Sequence, residues 1–274
     1  MTASDNNKTK NKPARFAGTL LTAGLTLGLT LGSMGAIASA QTPAAARYDN
    51  SIQTTVTQKL AAKGKFSNVK ASVEDGIVTL TGTVDLYQTK LDAAKSARKA
   101  SKTQGVRNLI TVAGPNVTDA QLEQKLAKQL RFVRVGFDNT FDYFALGVED
   151  GVVTVEGQDR TGVGRDEAFA DIANMPGVKD VIDNISIAPV SQFDDGLRLR
   201  AMQAIYRDSV LSKYAMDPAR PIRIIVTNGH VTLYGSVDSK MDKEIAGIRA
   251  NGIFGAFSVD NKLQVETKSG QQGM

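Results

Sequence analysis

The sequence contains no cysteine and no tryptophan, and its 274 residues include a single histidine. Without cysteine there can be no disulfide, so buried apolar side chains must stabilise the folded chain. The sequence around His230 matches no motif of a catalytic nucleophile or of a metal site. No other stretch of the chain has the residue spacing of a calcium-binding loop. We therefore expect a protein that is not an enzyme, holds no metal or cofactor and takes no small-molecule substrate.

A strong net charge is also missing once the N-terminal residues are set aside. The whole sequence carries 33 Lys and Arg against 28 Asp and Glu, but residues 41–274 alone carry 29 against 27. The pI of about 9.3 therefore reflects the N-terminal residues in part. Such a balance is not that of a nucleic-acid-binding protein, and we expect no nucleic-acid partner.

Only one long apolar run occurs, and it lies near the N-terminus. Residues 16–38 are apolar and small, they follow four basic residues, and they end in Ala38-Ser39-Ala40. This order predicts a secretory signal peptide over residues 1–40, cleaved near Ala40, and a periplasmic protein. The alternative is a segment retained as a membrane anchor, which its five glycines disfavour.

One ten-residue phrase occurs three times. Residues 73–82 read VEDGIVTLTG, residues 148–157 read VEDGVVTVEG, and residues 226–235 read VTNGHVTLYG. The first glycines of the three phrases are 75 and 78 residues apart, and each is followed six residues later by a second glycine. Constant internal spacing over three copies indicates a tandem array of one structural unit.

Each phrase has the pattern of a β-hairpin. Asp-Gly and Asn-Gly are preferred in two-residue type I′ turns, which need positive φ at both central positions, and apolar residues alternate on either side. The residues predicted to form these turns are Asp75, Gly76, Asp150, Gly151, Asn228 and Gly229.

Helical periodicity flanks every hairpin, so the unit reads helix, strand, strand, helix, strand. We expect an α+β fold in which a three-stranded sheet carries two helices on one face. The second strand should lie antiparallel to the first and parallel to the third. The predicted second helices are 86–101, 165–174 and 239–250, and the predicted last strands are 106–112, 178–187 and 256–265.

We define the three copies as repeat 1 (residues 48–113), repeat 2 (117–189) and repeat 3 (194–267). Their phrase D/N-G-x-V-T-L/V-x-G between two helices, followed by a closing strand such as 258–265, resembles the BON domain. The resemblance covers nearly all of residues 41–274. It implies a periplasmic or envelope-associated protein linked to osmotic or envelope stress that binds phospholipid surfaces.

The copies also differ in detail. In repeat 1 the glycine before the last strand, Gly105, follows Gly82 by 23 residues, whereas the other copies have 20, which predicts a shifted turn. Repeat 3 has a longer bridge, YRDSVLSKYAMDPARPIR, and its first helix has Asp194 and Asp195 as candidate caps. Repeat 2 has five extra residues before its hairpin, in a stretch that contains Phe132, Phe137, Phe141, Tyr143 and Phe144.

Charge separates the copies most clearly. Repeat 1 has ten Lys and Arg against five Asp and Glu, repeat 2 has seven against thirteen, and repeat 3 has ten against nine. The excess of basic residues in repeat 1 lies on and around its second helix. A cluster of Lys and Arg side chains is what binding to an anionic surface requires. The candidate anionic-surface residues are Lys90, Lys95, Arg98, Lys99 and Lys102.

These observations predict a non-enzymatic envelope protein that binds anionic phospholipid or an envelope protein. No large apolar side chain lies among the candidate cations, so surface adsorption is the expected form of binding. The alternative is a periplasmic holdase for unfolded clients that exposes the aromatic stretch 132–144. Lipid adsorption should weaken with salt, whereas an apolar holdase surface should not.

Overall fold

The computed structural model describes residues 46–133, 140–217 and 220–266. The predicted signal peptide over residues 1–40 lies outside this part of the chain. Throughout the described ranges, no helix has the length and apolar character needed to cross a bilayer. The residues that the structure describes all belong to one compact unit.

Each repeat contains the predicted order of elements. The helices are α1 (Asp49–Ala61), α2 (Tyr87–Arg98), α3 (Asp119–Val133), α4 (Gly162–Ala173), α5 (Gln192–Tyr206), α6 (Lys213–Met216) and α7 (Lys240–Asn251). The strands of repeats 1 and 2 are β1 (Val69–Glu74), β2 (Ile77–Val84), β3 (Gly105–Asn108), β4 (Thr111–Val112), β5 (Tyr143–Glu149), β6 (Val152–Asp159) and β7 (Asp180–Ile187). Repeat 3 has β8 (Arg223–Thr227), β9 (His230–Tyr234), β10 (Ser236–Val237), β11 (Ser258–Asn261) and β12 (Gln264–Val265).

The pairing of the strands confirms the predicted topology. In repeat 2, β5 and β6 are antiparallel with Val148 opposite Val153, and β6 and β7 are parallel with Val153 opposite Val181. The same pattern joins β1, β2 and β3 in repeat 1, and β8, β9 and β11 in repeat 3. The second hairpin strand is therefore the central strand of the main sheet in each repeat, and the crossover helix connects it to a parallel neighbour.

The second glycine of each phrase is needed because two backbones come close together. Gly157 has φ of +141°, and a Cβ added there would lie 1.9 Å from the carbonyl oxygen of Tyr143. Gly82 has φ of +113°, and a Cβ there would lie 2.0 Å from the carbonyl oxygen of Asn68. Neither distance is sterically possible, so these positions admit only glycine.

Apolar side chains form two buried clusters. The first combines repeats 1 and 2, with Val56 and Leu80 from one and Leu126 and Val155 from the other. The second belongs to repeat 3 and includes one residue from repeat 2, Phe141. A single unit of this size buries little surface, so the shared cluster gives repeats 1 and 2 a larger core than either would have alone.

The shifted turn predicted for repeat 1 is wrong. Lys102 has φ of +71° and occupies the position of Gly177 and Gly255, which have φ of +104° and +93°. Gly105 instead begins β3, at the position where Asp180 begins β7. All three repeats therefore keep one register, and repeat 1 has a lysine where the other two have glycine in the left-handed region.

Two further expectations need correction. Helix α2 ends at Arg98 instead of continuing to residue 101, so Lys99 is its C-cap and Lys102 lies beyond it. Helix α5 is capped by Ser191, whose hydroxyl accepts a hydrogen bond from the N–H of Asp194 at 3.1 Å. Asp194 and Asp195 lie inside the first turn of that helix and are not its caps.

The aromatic stretch of repeat 2 contacts repeat 3. Phe141 is 3% exposed and lies in the core of repeat 3, while Tyr143 stacks on Tyr234 with ring centroids 3.9 Å apart. Phe144 packs against the shared core of repeats 1 and 2. The side chain of Phe132 and all of Phe137 lie outside the described part. The described residues of the stretch therefore join two repeats and do not form an open apolar surface.

Candidate anionic-surface site

The hairpin turns have the backbone that a type I′ turn requires. The φ values are +50° and +77° for Asp75 and Gly76, +52° and +79° for Asp150 and Gly151, and +52° and +82° for Asn228 and Gly229. Both central residues of each turn lie in the left-handed region. These six residues are thus structural, and they fix the register of each sheet.

An aspartate from the first helix of each repeat binds the turn of the same repeat. Its two carboxylate oxygens accept hydrogen bonds from both backbone N–H groups of the turn. Asp49 binds Asp75 and Gly76 at 2.9 and 2.8 Å, Asp119 binds Asp150 and Gly151 at 2.8 and 2.9 Å, and Asp194 binds Asn228 and Gly229 at 2.9 and 2.8 Å. These contacts are not among those predicted from the sequence, although each first helix carries an aspartate in its first turn.

The exposed end of α2 presents the candidate cations of repeat 1. Lys95 and Arg98 lie in its last turns, Lys99 is its C-cap, and all three side chains are exposed. Within the described residues none of these three side chains forms an ion pair. Cations are favoured at the C-terminal end of a helix because the helix dipole is negative there. The same position leaves their charges available to an external anion.

Lys90 and Lys102 are placed differently from those three. Lys90 is half-buried, and its ammonium lies 5.8 Å from the ring centroid of Tyr87. Lys102 is exposed in the turn after α2, with its ammonium 5.4 Å from the ring centroid of Tyr48. We define the basic face as Lys95, Arg98, Lys99 and Lys102, which are all exposed, and leave Lys90 outside it because its side chain is half-buried.

The single acidic residue of α2 is already paired. Burial acts to raise the pKa of the Asp92 carboxyl, but hydrogen bonds from Lys65 and Gln88 outweigh it and lower the pKa below its ordinary value. Asp92 therefore stays ionised and bound to Lys65, a residue outside the basic face. It neutralises none of the four cations.

The equivalent positions of repeats 2 and 3 carry no such cluster. The common register places Ala170, Ala173 and Asn174 of repeat 2 where repeat 1 has Lys95, Arg98 and Lys99. In repeat 3 the same positions are Ile248, Asn251 and Gly252. Since three copies of one fold differ here, the fold itself does not require cations at this place.

The histidine does not form a catalytic site with its neighbours. His230 is exposed at the start of β9, and its Nδ1 lies 2.7 Å from the hydroxyl of Ser258. In the part of the chain that the structure describes, no carboxylate contacts this imidazole, so the third member of a triad is missing. The described residues also contain no group of His, Asp and Glu arranged to hold a metal ion.

A cleft of about 310 Å³ lies between repeats 2 and 3, beside the stacked Tyr143 and Tyr234. Its cations are already occupied within the protein. Arg220 lies 3.0 Å from Glu266, and the ammonium of Lys262 lies 3.3 Å from the carboxylate of Asp260. Because these charges are paired inside the molecule, the cleft does not compete with the basic face as an anion site.

Comparison with known proteins establishes the family. The family model of the BON domain matches residues 48–114, 118–189 and 204–267, and the chain therefore belongs to the BON domain family. No curated protein matches the chain. The three matches confirm the tandem repeats expected from the sequence.

Solved structures resemble the chain only weakly. CdsD, a structural protein of the Type III secretion system of Chlamydia trachomatis, is 14% identical over 78% of this chain and 91% of its own, with a TM-score of 0.23. The periplasmic domain of the T3SS inner membrane protein PrgH from S. typhimurium is 12% identical over 77% of this chain and all of its own, with a TM-score of 0.19. Scores this low carry no argument about function.

Proposed function

We propose that this is a non-enzymatic, exported protein of the cell envelope that adsorbs to anionic phospholipid surfaces through the basic face of repeat 1. The observation that carries the proposal is the exposure of Lys95, Arg98 and Lys99 at one end of α2 with no acidic partner among the described residues. Neither of the other repeats has cations at these positions. The expected link to osmotic or envelope stress belongs to this proposal.

Electrostatic adsorption of this kind is weak and sensitive to salt. A Lys or Arg near an anionic bilayer contributes about 1 kcal/mol, so four cations contribute about 4 kcal/mol at most. Screening reduces this contribution, since the Debye length falls to roughly 8 Å at physiological ionic strength. The basic face alone therefore gives reversible binding.

The buried side of α2 explains why adsorption is proposed for this helix and not insertion. Its small apolar residues Ala93, Ala94 and Ala97 are buried in the protein core, so they cannot turn toward a bilayer while the repeat stays folded. Only the stems and charged ends of the cations face outward. Such a face binds headgroups without entering the acyl chains.

Holdase activity receives less support. In that alternative the aromatic stretch of repeat 2 binds unfolded clients, yet Phe141 is buried in repeat 3 and Tyr143 is stacked on Tyr234. An acidic envelope protein is a further partner that the basic face would fit. Vesicles made only of lipid separate these cases, because they contain neither an unfolded client nor a protein partner.

The test is co-sedimentation of the purified protein with vesicles of phosphatidylcholine alone and of equimolar phosphatidylcholine and phosphatidylglycerol. We expect binding to the mixed vesicles that weakens as salt is added, and much less binding to the neutral ones. Equal binding to both, or none to either, would contradict the proposal.

A further inference from the structure

Repeat 3 exposes two stacked phenylalanines and a third in the turn that carries one of them. Phe193 lies in the first turn of α5, while Phe254 and Phe257 lie in the turn between α7 and β11. Their exposed fractions are 47%, 90% and 71%. The rings of Phe193 and Phe257 stack with centroids 5.6 Å apart. We define these three residues as the aromatic corner.

The fold does not need aromatic residues at this corner, as the other repeats demonstrate. Phe257 packs over the hairpin glycine Gly229, where Gln104 covers Gly76 in repeat 1 and Lys179 covers Gly151 in repeat 2. The positions equivalent to Phe193 and Phe254 are Tyr48 and Ser101 in repeat 1, and Thr118 and Pro176 in repeat 2. Repeat 3 alone places phenylalanine at all three.

The shape of the corner favours a surface over a groove as its partner. A side chain that is 90% exposed, as Phe254 is, projects into solvent and lines no cavity wall. A peptide or helix that docks on a protein needs a concave apolar site, whereas a bilayer accepts a projecting aromatic tip at its interface. Exposed rings that contribute little to the fold indicate an external contact.

The positive charge near the rings also favours contact with an anionic bilayer. The guanidinium of Arg200 donates from Nε to the backbone carbonyl oxygen of Phe254 at 3.2 Å, so a cation lies at the turn that carries the most exposed ring. The same corner of repeat 1 combines Tyr48 with Lys102, whose ammonium lies over the ring. Aromatic rings beside cations are typical of protein segments that rest in the headgroup region.

We propose that the aromatic corner is a membrane anchor whose rings enter the headgroup region of an anionic bilayer. This inference rests on the proposed adsorption of the basic face and adds the contact that adsorption lacks. Cations attract the protein to the surface, and the rings bury apolar area that salt does not screen. Two contacts on one chain raise the overall affinity above that of either alone when both reach the same surface together.

The absence of tryptophan from the chain gives a direct experiment. Phe254→Trp places a single fluorophore at the aromatic corner, and Pro176→Trp places one at the equivalent corner of repeat 2. With mixed phosphatidylcholine and phosphatidylglycerol vesicles, we expect the emission of the first variant to shift to shorter wavelength and to be quenched by brominated acyl chains. The emission of the second variant should stay unchanged.

Each result of this experiment decides the inference. Binding to vesicles without a shift for Phe254→Trp would overturn the anchor and leave the basic face in place, while no binding at all would overturn both. Equal shifts for both variants would remove the assignment to repeat 3. A shift caused by unfolded β-casein but not by vesicles would make the corner a protein-docking site instead.

A second variant tests the contribution to affinity. Phe254→Ser removes the projecting ring, and we expect apparent vesicle affinity to fall about threefold to tenfold, with the loss persisting at high salt. Ile182→Ser, which removes an apolar side chain that is 50% exposed on β7 of repeat 2, is the matched control and should bind like the wild type. Equal affinity of Phe254→Ser and the control would contradict the anchor.

Discussion

The carboxylate of Asp194 is completely buried and accepts a hydrogen bond from the backbone N–H of Gly229 at 2.8 Å. Its other oxygen accepts from the N–H of Asn228 at 2.9 Å. A helix of repeat 3 thus holds the hairpin turn that sets the register of its sheet. The equivalent aspartates of repeats 1 and 2 make the same contact.

Removing this carboxylate should destabilise repeat 3. Asp194→Ala leaves two turn N–H groups without an acceptor, and we expect the free energy of unfolding to fall by roughly 2–4 kcal/mol. Urea unfolding measures the change. Glu244→Ala is the control, because it removes a carboxylate whose contact with Lys240, at 4.0 Å, is solvent-exposed and contributes little. Equal stability of the two variants would show that the turn does not depend on Asp194.

The hairpin glycine should not tolerate a branched side chain. Gly151 has φ of +79°, and its added Cβ would lie 3.1 Å from the carbonyl oxygen of Gly177. Gly151→Val should therefore lower stability by roughly 1–3 kcal/mol in a thermal or urea melt. Gly147→Val, in the same hairpin, meets nothing within 4 Å and should be neutral. A silent Gly151→Val would contradict the type I′ turn.

Lys102 offers the opposite effect, a substitution that stabilises. Its left-handed backbone, with φ of +71°, is unfavourable for lysine and easy for glycine. We expect Lys102→Gly to raise the free energy of unfolding by about 0.5–1 kcal/mol. Lys99→Gly is the matched control, since Lys99 has φ of −80° and gains nothing from glycine. A destabilised Lys102→Gly would mean that the contact with Tyr48 outweighs the backbone strain.

Lowering the pH should reduce the stability of repeat 3, because it protonates Asp242. Burial acts to raise the pKa of this carboxyl, but hydrogen bonds from Lys213, Tyr214 and Ser239 outweigh it, so the pKa lies below its ordinary value. A lowered pKa contributes stability that is present above the unfolded pKa of about 3.9 and is lost as the pH falls through the folded pKa.

Urea unfolding at a series of pH values measures this dependence. Lys213→Gln removes the cation at 2.8 Å from Asp242, so its loss of stability should be large at neutral pH and should shrink as the pH is lowered below 4. Lys240→Gln, at a side chain 86% exposed, should keep the slope of the wild type. An unchanged pH dependence for Lys213→Gln would contradict the assignment.

Most of the fold was predictable because each repeat obeys local rules. The phrase containing Asp75 and Gly76 predicts its turn by chemistry alone, and the spacing of the glycines predicts the number of units. The aspartate contacts were missed because 27, 32 and 35 residues separate Asp49, Asp119 and Asp194 from their turn glycines, so no constant spacing marks them. Such contacts depend on tertiary packing.

The errors have equally specific causes. A lysine in a left-handed conformation has no sequence signal, so Lys102 was not recognised as the counterpart of Gly177 and Gly255. The aromatic stretch of repeat 2 suggested exposure, but Phe141 is buried in a neighbouring repeat that local patterns cannot reveal. The basic face can be predicted from the composition of repeat 1. The aromatic corner is recognised only in the structure, because Phe193 and Phe254 are far apart in sequence.

A vesicle titration separates the proposed role of the basic face from the effect of total charge. The variant with Lys95, Arg98, Lys99 and Lys102 replaced by Gln is compared with an equal-charge control in which Lys59, Lys63, Lys70 and Arg107 of the same repeat are replaced by Gln. We predict that the first loses at least about tenfold in affinity for mixed phosphatidylcholine and phosphatidylglycerol vesicles, while the control loses much less. Equal affinities of the two folded variants would contradict the account.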